Sequence, residues 1–150
     1  MAYEYPKEIH FIDTSVLVGS IKPDQQESLI EKYLSKVRNG IYKVYVSHLV
    51  LGETLSIIFR DIEKFDERYY AISKLISLQG VFSVFVPKIQ SYIGVLPEIA
   101  SLESRCSSTD VRIICEAINS TATKLITFDR RYNTLDLKNR IEVVDLRDLF

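Results

Sequence analysis

Asp13, Glu53, Asp110 and Asp129 are the residues of this chain whose settings point to chemistry. Asp13 ends the apolar run Ile9-His10-Phe11-Ile12 and is followed by Thr14 and Ser15, after which apolar residues resume as Val16-Leu17-Val18. Asp129 ends a similar run, Lys124-Leu125-Ile126-Thr127-Phe128. Short apolar runs of this kind predict buried parallel strands, and open α/β sheets place their ligand crevice at the carboxyl ends of such strands. Asp110 opens a helical stretch after Ser107-Ser108-Thr109, and Glu53 lies in the first turns of another, Leu49 to Phe59. In a parallel α/β unit helices begin at the edge where strands end, so the four acids converge on one edge. Carboxylates brought together repel: at an effective dielectric near 20, two charges about 4 Å apart cost roughly 4 kcal/mol. A hard divalent cation relieves that repulsion, and oxygen-only ligands suit Mg²⁺ or Mn²⁺ rather than zinc. Each acid also has a bland reading: a turn former at a strand end, a helix cap, a solvated helix residue. Joint placement on one edge is what those readings leave unexplained.

The elements that must position these acids are legible as alternating runs. After the first strand, Thr14 and Ser15 are expected to cap a short helix, and Lys22-Pro23-Asp24 to turn the chain. Leu29, Ile30, Tyr33, Leu34 and Val37 repeat at helical spacing to Arg38, where Asn39-Gly40 stops them. Val44-Tyr45-Val46 reads as the second strand, with Ser47 as a cap for the next helix. That helix carries Leu51, Leu55, Ile58 and Phe59 on one side. A helix over 66–78, a strand over 81–86 stopped by Pro87, helices near 89–104 and 109–120, and strands over 124–128 and 141–146 complete the series. Strands alternating with helices predict an α/β fold: a five-stranded parallel sheet between helical layers, formed by residues 1–150 as one domain.

Composition narrows the function. Apolar residues make up 47% of the chain and charged residues 26%, a globular balance that argues against wholesale disorder. The net charge of −1, 20 acids against 19 bases, argues against a histone-like or purely electrostatic nucleic-acid binder and leaves room for a local basic patch. Cys106 and Cys115 lack metal-ligand spacing, and with two histidines in the chain a structural zinc site is not expected. Unpaired cysteines fit a reducing setting, and no apolar run reaches bilayer-spanning length or resembles a leader; a soluble cytoplasmic protein is expected.

The motifs Phe11-Ile12-Asp13-Thr14-Ser15, Leu51-Gly52-Glu53-Thr54-Leu55, Asp110 at a helix start and Leu125-Ile126-Thr127-Phe128-Asp129 resemble the pattern of the PIN-domain family. Size and element order are similar to its VapC-like toxin ribonucleases, from about Ile9 to Leu146, with the segment Ser91–Ser108 departing from them. The resemblance implies a metal-dependent endoribonuclease using Mg²⁺ or Mn²⁺, with Asp13, Glu53, Asp110 and Asp129 as catalytic residues and metal ligands. Thr14, Ser15 and Thr127 match the small polar positions that orient those carboxylates. It also implies a homodimer and inhibition by an antitoxin lying over the acidic edge, with an arginine inserted among the carboxylates.

RNA must still approach an acidic pocket, and Arg112, Arg130, Arg131 and Lys138 fall near the proposed edge, with Arg60 and Lys64 as weaker candidates and Tyr132 placed to stack a base. Three rival enzymes on similar sheets fail on the residues. A haloacid-dehalogenase-type phosphatase needs an aspartate where Ser15 stands. A receiver domain needs an aspartate after strand three and a lysine after strand five, where Pro87 and Asp145-Leu146-Arg147 lie. A P-loop protein needs a GK[ST] loop that is absent. Two alternatives stay open: a PIN-like module that binds RNA or protein without cutting, and an RNA-processing nuclease that has no antitoxin.

Overall fold

The computed structural model describes residues 8–22, 25–99, 106–132, 137 and 140–150. Among these, five strands form one parallel sheet in the order β3-β2-β1-β4-β5, with helices on both faces. The strands are β1 (Glu8–Ile12), β2 (Tyr42–Ser47), β3 (Ser83–Phe85), β4 (Lys124–Thr127) and β5 (Glu142–Asp145). The helices are α1 (Thr14–Ile21), α2 (Glu27–Arg38), α3 (His48–Asp61), α4 (Phe65–Ser77), α5 (Ile89–Ile93), α6 (Leu96–Ile99) and α7 (Ser108–Asn119). Part of the stretch Ser91–Ser108, the turn residues Pro23 and Asp24, and Lys138 lie outside the described residues.

The order of strands matters more than their number. From β1 the sheet grows one way through β2 and β3, and the other way through β4 and β5. The boundary between β1 and β4 is therefore a topological switch point, where chain connections diverge and leave a crevice at the carboxyl edge. Ile12 pairs with both Val46 and Ile126, so the residues that follow, Asp13, Ser47 and Thr127, share that edge. The inner strands are covered on both faces, and Phe11, Ile12, Leu125 and Ile126 are completely buried, as continuous apolar runs require.

One polar residue interrupts this core. His10 is fully buried, bonded through Nδ1 to the Tyr33 hydroxyl at 2.8 Å and through Nε2 to Glu8 at 2.8 Å. Lys124 donates to the same Glu8 oxygen at 2.9 Å, so the cluster is satisfied within the fold. Burial holds the His10 imidazole below its ordinary pKa, against the pull of Glu8.

One helix end differs from expectation. Asp13, not Thr14 or Ser15, is the N-cap of α1, in extended conformation with its carboxylate accepting from the Val16 N–H. A carboxylate is the stronger acceptor there, which leaves both hydroxyls for other work. In α3 the buried stripe is Val50, Thr54 and Ile58, while Leu55 is 41% and Phe59 55% exposed. The covering face is set by α1, α4 and α7, which α3 meets, and a mostly apolar helix presents more than one plausible inward stripe. Gly40, at φ 73° after Asn39, ends α2 in the left-handed region that glycine enters without penalty.

Candidate active site

Asp13 is 4% exposed and receives Ser15 Oγ at 2.6 Å on Oδ1 and Thr127 Oγ1 at 2.7 Å on Oδ2. Burial pushes its carboxyl up to about 6, and the nearby Asp129 adds to that, opposed by the hydrogen bonds from Ser15, Thr127 and the Val16 N–H. Repulsion between acids is thus the smaller cause, and desolvation at the switch point the larger. Among the described residues no cation lies in ion-pair contact with Asp13.

The other three acids stand around it, each with donors from the protein. Asp129 follows β4; its N–H donates to Thr127 Oγ1 at 2.8 Å, so one threonine hydroxyl joins Asp13 to the start of the next turn. Arg131 holds the Asp129 carboxylate in a fork and keeps it below the usual carboxylate range. Glu53, in the second turn of α3, accepts from Thr14 Oγ1 at 3.0 Å, which ties it to the residue beside Asp13. Asp110 does two things at once. Its Oδ2 accepts from the Ser107 N–H at 2.9 Å in a reciprocal capping box, while Oδ1 accepts from the Tyr132 hydroxyl at 2.6 Å. The Tyr132 N–H donates to the Asp129 carbonyl at 3.1 Å, so its hydroxyl ties Asp110 to the turn that carries Asp129.

Thr127 thus joins Asp129 to Asp13, Thr14 ties Glu53 to the residue next to Asp13, and Tyr132 ties Asp110 to the turn that carries Asp129. No three of these acids are grouped closely enough to hold a metal ion among the described residues. The donor set fits Mg²⁺ or Mn²⁺ in kind, being all carboxylate oxygen.

A model of the PIN domain matches residues 10–138. The chain belongs to the PIN-domain family. Solved structures of the same fold include VapBC2 from Rickettsia felis bound to a DNA fragment from their promoter, at TM-score 0.68 and 18% identity over 91% of this chain and 98% of that one. VapBC-1 from nontypeable Haemophilus influenzae gives 0.67 and 17% over 93% and 99%. FitAcB from Neisseria gonorrhoeae gives 0.66 and 15% over 93% and 99%. No curated protein matches the chain by sequence at a significant level.

Within this PIN domain the remaining sequence-derived candidates fall unevenly. Tyr132 is 4% exposed, and its hydroxyl is engaged with Asp110, so it supports the site and offers no face for a base. Arg130 and Arg131 are exposed after β4, and Arg112 is exposed on α7. Arg60 pairs with Asp61 at the last turn of α3, the end away from Ser47, and Lys64 pairs with Glu67 beyond it; neither reaches the crevice. Lys138 lies outside the described residues.

The acid pattern does not single out Glu116, yet it is 1% exposed and accepts from Ser47 Oγ at 2.6 Å. Ser47 Oγ also caps α3 by accepting from the Leu49 N–H at 3.0 Å, so Glu116 locks α7 to the helix carrying Glu53. Burial raises its carboxyl, opposed by Ser47, Arg112, His48 and Tyr92. The only trace in sequence is an acid set inside the apolar run Ile113-Ile114-Cys115-Glu116-Ala117. Glu116→Ala, which leaves the buried Ser47 hydroxyl without its acceptor and opens a cavity, is expected to cost about 2–3 kcal/mol in thermal melts. Glu116→Gln keeps an acceptor and should cost less than half of that; equal losses would remove the hydrogen bond as the cause.

Proposed function

We propose that this chain is a metal-dependent endoribonuclease hydrolysing RNA phosphodiester bonds, the toxin of a toxin–antitoxin pair acting in the cytoplasm. The observation that carries the reading is Asp13, buried at the switch point with no cation paired to it among the described residues, with Asp129 near enough to raise its carboxyl, Glu53 bonded to the adjoining Thr14 and Asp110 bonded to Tyr132 in the turn after β4. Membership of the PIN family, whose members include metal-dependent ribonucleases, supports the same chemistry.

Asp13 would be the central ligand of the metal, Asp110 and Asp129 would reach it directly or through water, as their spacing requires, and Glu53 would serve a second metal or orient the nucleophile. A bound Mg²⁺ or Mn²⁺ supplies a water of lowered pKa and positive charge for the leaving oxygen. The protein's own contribution is alignment. Ser15 and Thr127 fix both oxygens of Asp13, Thr14 aims Glu53, and Tyr132 with Ser107 fixes Asp110. Arg130 is an exposed cation available to RNA phosphates, whereas Arg112, also exposed, is engaged with Tyr92 and Glu116.

The partner reading rests on the likeness to VapBC proteins and on an exposed apolar face. Phe59, Phe65, Tyr69 and Tyr70 stand exposed on α3 and α4, beside a cleft of about 400 Å³ lined by Ile21, Ile62, Ala71 and Tyr70. The cleft is also lined by Lys22, Asp61, Asp66 and Glu67, and it lies at the end of α3 away from the crevice, so this face suits a second protomer rather than the antitoxin over the acidic edge. Light scattering that finds a strict monomer at high concentration would count against the homodimer, and a small upstream gene encoding a DNA-binding protein would favour the toxin role.

The direct test is cleavage of single-stranded RNA by purified protein with Mg²⁺ or Mn²⁺ and with EDTA. Cleavage is expected only with metal, and Asp129→Asn is expected to abolish it, because Asn is nearly isosteric but brings no charge to a hard cation. Near wild-type cutting by both Asp13→Asn and Asp129→Asn would end the catalytic assignment.

A further inference from the structure

Asp129 differs from the other acids of the site in what satisfies it. Asp13, Glu53 and Asp110 receive neutral donors: hydroxyls of Ser15, Thr127, Thr14 and Tyr132, and backbone N–H groups. Asp129 receives a cation from its own chain. Arg131 Nε stands 3.1 Å from Oδ1 and 2.9 Å from Oδ2, Nη2 stands 2.6 Å from Oδ2, and the Arg131 N–H donates to Oδ1 at 2.9 Å. The guanidinium thus covers both oxygens that a metal would need.

The two partners are unequal in mobility. The Arg131 side chain is 63% exposed, whereas that of Asp129 is 23% exposed and its backbone N–H is tied to Thr127. An ion pair whose cation is this exposed is weakly held. A guanidinium released from a carboxylate keeps a planar fork that matches a phosphate equally well.

We propose that Arg131 is the resident counter-ion of this site: it holds Asp129 in the metal-free protein, yields that carboxylate to a divalent cation, and once released takes an RNA phosphate. The inference rests on the ribonuclease reading above. It accounts for how an acidic crevice draws a polyanion, since each metal taken up also frees an arginine beside it.

Calorimetric titration with Mn²⁺ tests the first half, using intact wild type, Arg131→Ala, Arg131→Lys and, as a charge-matched neighbour, Arg130→Ala. Arg130 is exposed and acts on Asp145 rather than Asp129. Arg131→Ala is expected to bind Mn²⁺ roughly two- to fivefold more tightly, the range set by an exposed ion pair. Arg131→Lys, which keeps the charge but loses the fork, should fall between it and wild type, and Arg130→Ala should gain less than half as much. Unchanged Mn²⁺ affinity in Arg131→Ala, or an equal gain in Arg130→Ala, overturns the proposal, the latter by showing a general charge effect. For the second half, steady-state cleavage of a single-stranded RNA oligonucleotide at saturating Mn²⁺ should show a raised KM in Arg131→Ala with kcat little changed. An unchanged KM overturns the phosphate role. Wild type that takes up no Mn²⁺ sinks the metal-dependent reading itself, an outcome distinct from one in which wild type binds metal and Arg131→Ala behaves identically.

Discussion

Asp13→Asn is expected to abolish RNA cleavage and, in the same protein, to raise the melting temperature measured in EDTA at pH 8. Asp13 titrates at about 6 in the folded chain, above its ordinary value of 3.8. A carboxylate with a raised folded pKa costs stability above that pKa, because the folded form must give up a proton it holds more tightly than the unfolded chain does. The cost is absent below about pH 4, grows between pH 4 and 6, and above 6 reaches on the order of 3 kcal/mol. Asn removes the charge and remains a good N-cap for α1. It cannot accept from both Ser15 and Thr127 as the carboxylate does, so part of the gain is lost. A net rise of roughly 3–8 °C is expected at pH 8, vanishing towards pH 4. His10 works with the opposite sign: its imidazole is depressed by burial, so its stabilising neutral state is lost as pH falls below the unfolded value near 6.5. In wild type the two trends partly cancel between pH 4 and 6.5; in Asp13→Asn the acid destabilisation should stand out. Metal supplies the decisive arm. Wild type should gain about 2.7 kcal/mol at a hundredfold excess of Mn²⁺ over its dissociation constant, and the variant far less. Equal metal responses in the two proteins would mean that Asp13 is no ligand.

The second large effect is expected at Thr127, which is completely buried and whose hydroxyl donates to Asp13 while accepting from the Asp129 N–H. Valine has nearly the same shape but neither function. Thr127→Val therefore leaves one oxygen of a buried carboxylate and one backbone N–H without partners, a loss of about 2–4 kcal/mol and roughly 6–12 °C in melting temperature at pH 8. Losing a donor to the charged form also pushes the Asp13 carboxyl further up, so the penalty should shrink below pH 5, where Asp13 is protonated in both proteins. Thr127→Ser keeps the hydroxyl and gives up one methyl group, about 1 kcal/mol. If Val and Ser variants melt alike at pH 8, packing rather than hydrogen bonding explains the threonine. Cleavage should follow the same order, with Ser retaining activity and Val losing most of it, since the residue sets where both Asp13 and Asp129 begin.

The PIN fold itself was readable in the chain because its signals are local. The apolar runs at 9–12 and 124–127, the helical spacing through Val37 and the stop at Asn39-Gly40 each arise from residues within a few positions of one another. So did the two strand-end acids, since an aspartate closing an apolar run is visible without knowing its neighbours. Local order does not choose a helix face, however. Leu55 and Phe59 suit an inward face as well as Val50 and Thr54 do, and nothing in α3 alone says which side α1, α4 and α7 will cover.

What only the tertiary structure decided is the strand order and, with it, the partner of each carboxylate. Asp13 and Thr127 are 114 residues apart in sequence, Ser47 and Glu116 are 69 apart, and Thr14 and Glu53 are 39 apart. Such pairings depend on which strands lie side by side, a property of the whole sheet that no short window of residues contains. The sequence by itself determined that Asp13 and Asp129 would each close a buried strand of the sheet. The fold decided that burial, more than mutual repulsion, raises Asp13, that Tyr132 is spent on Asp110 rather than offered to a base, and that Arg131 lies across Asp129. The physical reason is that desolvation and hydrogen-bond choice depend on the three-dimensional surroundings of a group, whereas hydrophobic periodicity is already written along the chain.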